Sequence, residues 1–127
     1  MKKPIEEKGH LLIPEVFYYE SGALGIKAVD TDKTENGWGE MLLTADPEDY
    51  PLRRFGLQEA GYKKNIHVCV KRQFTPELAK ADYLTVLGNS VILGSAEYDV
   101  CRIDDEFADE ADNKRPCLLK RILKNIF

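Results

Sequence analysis

A small, mostly β domain is the fold class this sequence predicts: a barrel or sandwich of about six or seven short strands, short helical turns in its loops and a C-terminal helix. Three observations predict it. Short β-prone runs recur along the chain, the clearest being Ile66 to Arg72, where Ile66, Val68 and Val70 alternate with His67, Cys69 and Lys71. Turn signals separate the runs, among them Asn36-Gly37, Gly88-Asn89 and Gly94-Ser95. The chain has 127 residues, 43% of them hydrophobic, which suits one domain with its own core and no need of disulfides. We read residues 1–127 as that single domain: a β-barrel core over 10–105, an acidic segment over 106–115 and an amphipathic tail helix over 116–127.

Taken in order, His10 to Tyr19 is apolar and β-prone but holds Pro14, which removes a ladder donor; this predicts an edge strand or two short ones. Gly25 to Val29 is a short strand. Asn36-Gly37 suits a tight hairpin turn, and Trp38 to Thr44 is the strand leaving it. Asp46-Pro47-Glu48-Asp49 has the form of an N-cap with proline at the first helical position. Pro51 then stops that helix, so Ala45 to Tyr62 is an irregular connection with one or two helical turns, ending at Gly61. Thr75-Pro76-Glu77 caps a short helix to about Ala81. Tyr83 to Leu87, Val91 to Leu93 and Tyr98 to Ile103 are further strands, with Gly88-Asn89 as a turn between the first two. Ile66, Val68 and Val70 are expected to face inward with Tyr98 and Val100.

Charge and cysteine usage narrow the function classes. Net charge is −4, and non-specific nucleic-acid binding normally rests on a basic face. The N-terminus has lysines without an apolar run behind them, so no secretory signal is expected. No apolar stretch is long enough to cross a bilayer. Cys69, Cys101 and Cys117 are widely spaced and odd in number, which reads as reduced thiols in a cytosolic protein.

Catalytic and metal motifs are missing. His10 and His67 stand alone, without the convergent partners that a general base or zinc site needs. Gly88-Asn89-Ser90 lacks the second glycine of a nucleophile elbow. Asp30, Asp32 and Thr34 have calcium-loop spacing, but Glu35 and Met41 stand where such a loop wants Gly and Glu. The cluster Asp104, Asp105, Glu106, Asp109, Glu110 and Asp112 reads as a solvated charge run or interaction segment. No enzyme activity, no cofactor and no metal is expected.

Two stretches are candidate interaction surfaces. The connection carries Tyr50, Leu52, Phe55 and Leu57 among prolines and glycines, and exposed apolar residues in a loop mark an interface. The tail places Leu118, Leu119, Ile122, Leu123 and Ile126 on one helical face, with Lys114, Arg115, Lys120, Arg121 and Lys124 around them. That face packs either on its own domain or on a partner.

The order of several pieces resembles a known family. These are Thr34-Glu35-Asn36-Gly37-Trp38-Gly39-Glu40-Met41, then Glu59-Ala60-Gly61, the strand Ile66-His67-Val68-Cys69-Val70, Asp82-Tyr83-Leu84 and a closing Tyr98-Asp99-Val100-Cys101-Arg102-Ile103. Over residues 10 to 105 the chain resembles the head-closure, or head–tail connector, proteins of tailed bacteriophages and prophage-like elements. The glycine usual before the closing strand is displaced here to Gly94. The resemblance implies a small β-barrel with a long loop and a structural role at the virion neck. It closes the portal channel after DNA packaging and offers the tail an attachment surface. Implied partners are the portal–adaptor complex, tail proteins and further copies in a ring, with a monomer when isolated; DNA is met only through proximity to the channel, and no membrane is involved. Assembly would take place in the bacterial host cytoplasm. An acidic chain suits a channel that must not hold DNA. The alternative is a small β-barrel binding module for a peptide, ligand or nucleic acid, for which Lys63, Lys64, Lys71 and Arg72 near Tyr62 and Phe74 are a sparse basic–aromatic set.

Overall fold

The computed structural model describes residues 3–7, 9–30 and 40–113. Within them eight strands form two four-stranded antiparallel sheets. Sheet A runs β1 (Ile5–Glu7), β2 (His10–Tyr18), β3 (Leu24–Asp30), β4 (Glu40–Leu42) in that spatial order. Sheet B is built from β5 (Thr44–Ala45), β6 (His67–Lys71), β7 (Leu84–Leu93) and β8 (Ala96–Ile103), in the order β5-β6-β8-β7. Among the described residues there are three α-helices, α1 (Arg54–Glu59), α2 (Thr75–Lys80) and α3 (Asp105–Asn113). The result is a β-sandwich that does not close into a barrel.

Alternation builds the main core. Leu12, Pro14 and Val16 on β2 and Leu24, Ile26 and Ala28 on β3 point inward and are buried. They meet Val68, Val70, Cys101 and Ile103 from sheet B, with Leu78 of α2 and Phe107 and Ala111 of α3 closing the open side. At the opposite seam the chain passes directly from β4 to β5 through Leu43. Its N–H donates to Ile26 O in sheet A, and its carbonyl accepts from Lys71 N–H in sheet B, both at 2.9 Å. Buried Thr44 adds a third link, its Oγ1 accepting from Ile26 N–H at 3.0 Å.

The inner strands of sheet B, β6 and β8, bury residues on both faces. Val68 pairs with Cys101 and faces the main core; Cys69 pairs with Val100 and faces away from sheet A. There a second cluster of Ala45, Cys69, Val91, Leu93, Tyr98 and Val100 packs under Leu57 and Ala60. The expected inward group is therefore split: Val68 and Val70 face one core, Tyr98 and Val100 the other. Ile66 precedes the strand and is only partly buried. A strand apolar on both faces gives no periodicity from which to choose a side.

Three further expectations are corrected. Pro14 does not break β2 or put it at an edge; β2 is one continuous strand between β1 and β3. Pro14 pairs with Ala28 beyond Leu12, the last residue matched by β1, so on that side no strand awaits its missing donor. Gly88-Asn89 is not a turn between two strands. β7 runs through it, with Leu87 and Gly88 left unpaired in an irregularity between Val86 and Asn89 and Gly88 at φ +84°. A glycine takes that backbone without strain. The acidic stretch keeps its carboxylates at the surface but is helical: Asp105–Asn113 is α3, started by Asp104, whose Oδ2 accepts from Phe107 N–H at 3.1 Å. At α2 the cap moves by one residue, since Thr75 is already helical and Phe74 precedes it. The Asn36-Gly37 turn, Cys117 and the 116–127 tail lie outside the described residues.

Candidate assembly surface

The connection between β5 and β6 crosses the outer face of sheet B, and its local chemistry explains its path. Asp46 caps the first turn as its sequence predicts: Oδ1 accepts from Glu48 N–H at 3.0 Å, and Pro47 opens a 3-10 turn to Asp49. Ser21 Oγ donates to the same carboxylate from the β2–β3 hairpin. Pro51 opens a second 3-10 turn that leads into α1. The far end is fastened by Asn89 Nδ2, which donates to Ala60 O at 3.0 Å, and by Lys63 N–H, which donates to His67 Nδ1 at 2.8 Å.

The four apolar residues singled out on this connection separate into three situations. Leu57 is buried in the second cluster and Tyr50 is half-buried, its ring over Gly94. Leu52 and Phe55 point outward, at 95% and 78% exposure. Spacing along a short helix accounts for the split: Phe55 and Leu57 stand about 200° apart around the axis. Arg53 and Arg54 lie between the two projecting side chains, both exposed and, among the described residues, without an ion-pair partner. Beside them an open groove of about 650 Å³ runs along β7, lined by Leu52, Phe55, Gly56, Glu59, Val91 and Ile92.

β7 is an edge strand of ten residues, LTVLGNSVIL, with no charge and no proline. Val86, Leu87 and Ile92 are exposed on it. Of the usual edge protections β7 has the irregularity at Leu87-Gly88 but neither charge nor proline, and Ile92 extends the apolar surface begun by Leu52 and Phe55. The Gly88-Asn89 turn signal hides this edge in the sequence, because it divides one strand into two. Leu118, Leu119, Ile122 and Leu123 lie outside the described residues.

The other candidate residues do not come together. Among the described residues no three His, Cys, Asp or Glu side chains are grouped to hold a metal ion. Asp30, first of the calcium-like spacing, is buried at the end of β3, and the rest of that spacing is outside the described residues. His67 is buried and neutral-favouring: burial, then the neighbouring Lys63 and Arg102, hold its pKa below the ordinary value. Burial pushes the Cys69 and Cys101 thiols up to about 12, so both are inert at neutral pH. The basic–aromatic set is dispersed. Phe74 is in the main core, Lys64 reaches Glu48 at 3.6 Å, and Arg72 is held by Glu97 at 2.6 Å and Asp99 at 3.3 Å. No helix among the described residues is long and apolar enough to cross a membrane.

Comparison with known protein families, curated sequences and solved structures finds no match to this chain. The groove beside α1 has a mixed lining, Leu52, Phe55 and Ile92 with Arg53, Glu59 and Glu97, and adjoins the β7 edge.

Proposed function

We propose that the chain is a structural assembly protein of the phage head–tail junction. In this reading copies form a ring beneath the portal–adaptor complex, close the channel after DNA packaging and present the surface to which the tail attaches. The observation that carries it is Leu52 and Phe55 held outward on a connection whose neighbouring Leu57 and Ala60 are buried beneath them. A connection fastened at both ends and still exposing two large apolar side chains is organised for contact with another protein. The order of residue patterns from Thr34 to Ile103 supplies the choice of system. The charge agrees with it, since 22 acidic against 18 basic residues suit a channel that must release DNA.

The test is completion of DNA-filled, tail-less heads by the purified chain, scored as DNA protected from nuclease and as heads joined to tails. Added chain should raise both readouts, and Phe55→Asp should lower both. Heads that leak and stay tail-less at saturating chain would refute the proposal.

A further inference from the structure

Sheet A turns a second unlike surface outward. Register places Glu6 opposite Leu11, Ile13 opposite Val29, Glu15 opposite Lys27, and Leu42 and Glu40 beside Lys27 and Val29. The residues alternating with these, Leu12, Val16, Ile26 and Ala28, fill the main core, so this set lies on the outer face. Leu11 and Leu42 are 47% and 42% exposed there, and Ile13, Phe17 and Val29 are half-buried. Among the described residues, the carboxylates Glu6, Glu15 and Glu40 share the face with Lys27, which reaches Glu40 at 3.3 Å. Leu52 and Phe55 project from the opposite side of the sandwich, over sheet B, with Arg53 and Arg54 between them.

We infer that Leu52-Arg53-Arg54-Phe55 of one copy docks on the outer face of sheet A of the next copy. The two surfaces match in chemistry: a projecting apolar pair with two arginines between its members in sequence, against a face of exposed and half-buried apolar residues whose charges, among the described residues, are mostly carboxylates. They also match in placement. Unlike patches on opposite sides of one molecule generate a head-to-tail series, which closes into a ring where the rotation allows. The inference rests on the proposed ring and names the surfaces that build it. The occupant is a second copy of this chain.

Two full-length variants test it. Phe55→Asp spoils the projecting pair, and Leu42→Asp spoils the receiving face. Both positions are exposed, so circular dichroism and melting curves should match the wild type. Arg54→Glu, which keeps every apolar group, serves as a second variant of the projecting side. In sedimentation velocity the wild-type chain should grow past a dimer as concentration rises. Each variant alone should associate at least about tenfold more weakly, the loss of one central contact. An equimolar mixture of Phe55→Asp and Leu42→Asp should give one-to-one pairs and stop there. In such a pair the intact projecting side of one variant meets the intact face of the other, and only spoiled surfaces remain. A wild-type chain still monomeric at roughly millimolar concentration overturns the inference, as does a mixture no more associated than its components, or a Phe55→Asp chain that associates like the wild type. Head completion separates this from the proposed function. Head-to-tail growth without closure of heads removes the junction role alone; closure undiminished by Phe55→Asp removes the interface alone.

Discussion

Phe107→Ala would decide whether the acidic C-terminal stretch belongs to the domain. Phe107 is 3% exposed and its ring meets that of Tyr83 with centroids 4.6 Å apart, tilted by 54°. Apart from it, α3 buries only alanine side chains in the core, Ala111 fully and Ala108 in part. A nine-residue helix does not persist in water by propensity alone, and neither the Asp104 cap nor the Tyr18–Asp112 hydrogen bond at 3.0 Å replaces an aromatic anchor. Removing a buried phenylalanine costs about 3–5 kcal/mol, of which the aromatic pairing supplies roughly 0.5–1.5 kcal/mol. With Tyr83 and the other core side chains around the gap held by their own packing, the site collapses only in part, so we expect about 3–4 kcal/mol. Equilibrium urea unfolding of wild type and variant measures this directly. A loss below about 1 kcal/mol would mean that α3 is an appendage and that the reasoning from its burial fails.

Other perturbations test other parts of the argument. Gly25 lies beneath a T-shaped Phe17–Tyr19 pair, and a Cβ there would meet Tyr19 at 2.6 Å and Phe17 at 2.7 Å. Gly25→Ala should cost about 1–3 kcal/mol in urea melts; a neutral substitution would show the rings free to move aside. Val68→Ala in the main core should lose about 2 kcal/mol, while Val86→Ala on the exposed edge should stay within about 0.5 kcal/mol; equal losses would refute the two burial assignments. His67 favours the neutral form in the fold, so the unfolded chain binds more protons once pH falls below its ordinary pKa of about 6.5. Its contribution is present above that value and declines as pH drops towards the lowered native one. Urea stability should therefore fall more between about pH 7.5 and about pH 5.5 in wild type than in His67→Gln, and parallel losses would count against it.

Legibility in the sequence followed the number of faces a segment buries. β2, β3 and β8 were visible because their alternation or β-branched content is strong, and the Asp46-Pro47 cap was visible because its chemistry is local. The direction of Val68 against Val100 was not, because β6 is covered on both sides and Val68, Cys69 and Val70 follow one another without a polar residue. α3 carries a cap, Asp104, and an apolar set, Phe107, Ala108 and Ala111, at helical spacing, yet six acidic residues between 104 and 112 outweighed them. The sandwich class was therefore readable, and its closure by helices was not. On the connection, Leu52 and Phe55 came out exposed as expected and Leu57 buried, a distinction that depends on where α1 starts. The outer face of sheet A was not singled out at all. Its residues mix apolar and charged types, and only the register that places Leu42 beside Lys27 gathers them on one surface.

The Leu43 peptide belongs to both sheets at once, and that bears on how the molecule comes apart. A sandwich whose layers share only side-chain contacts can lose one layer while keeping the other. Here the amide of Leu43 is committed to β3 and its carbonyl to the end of β6, with no residue of slack between them. Opening either sheet at this seam pulls on the ladder of the other. The two layers should therefore unfold as one cooperative unit, and the Leu43 amide should exchange with solvent only through global opening, at the slowest rate in the chain.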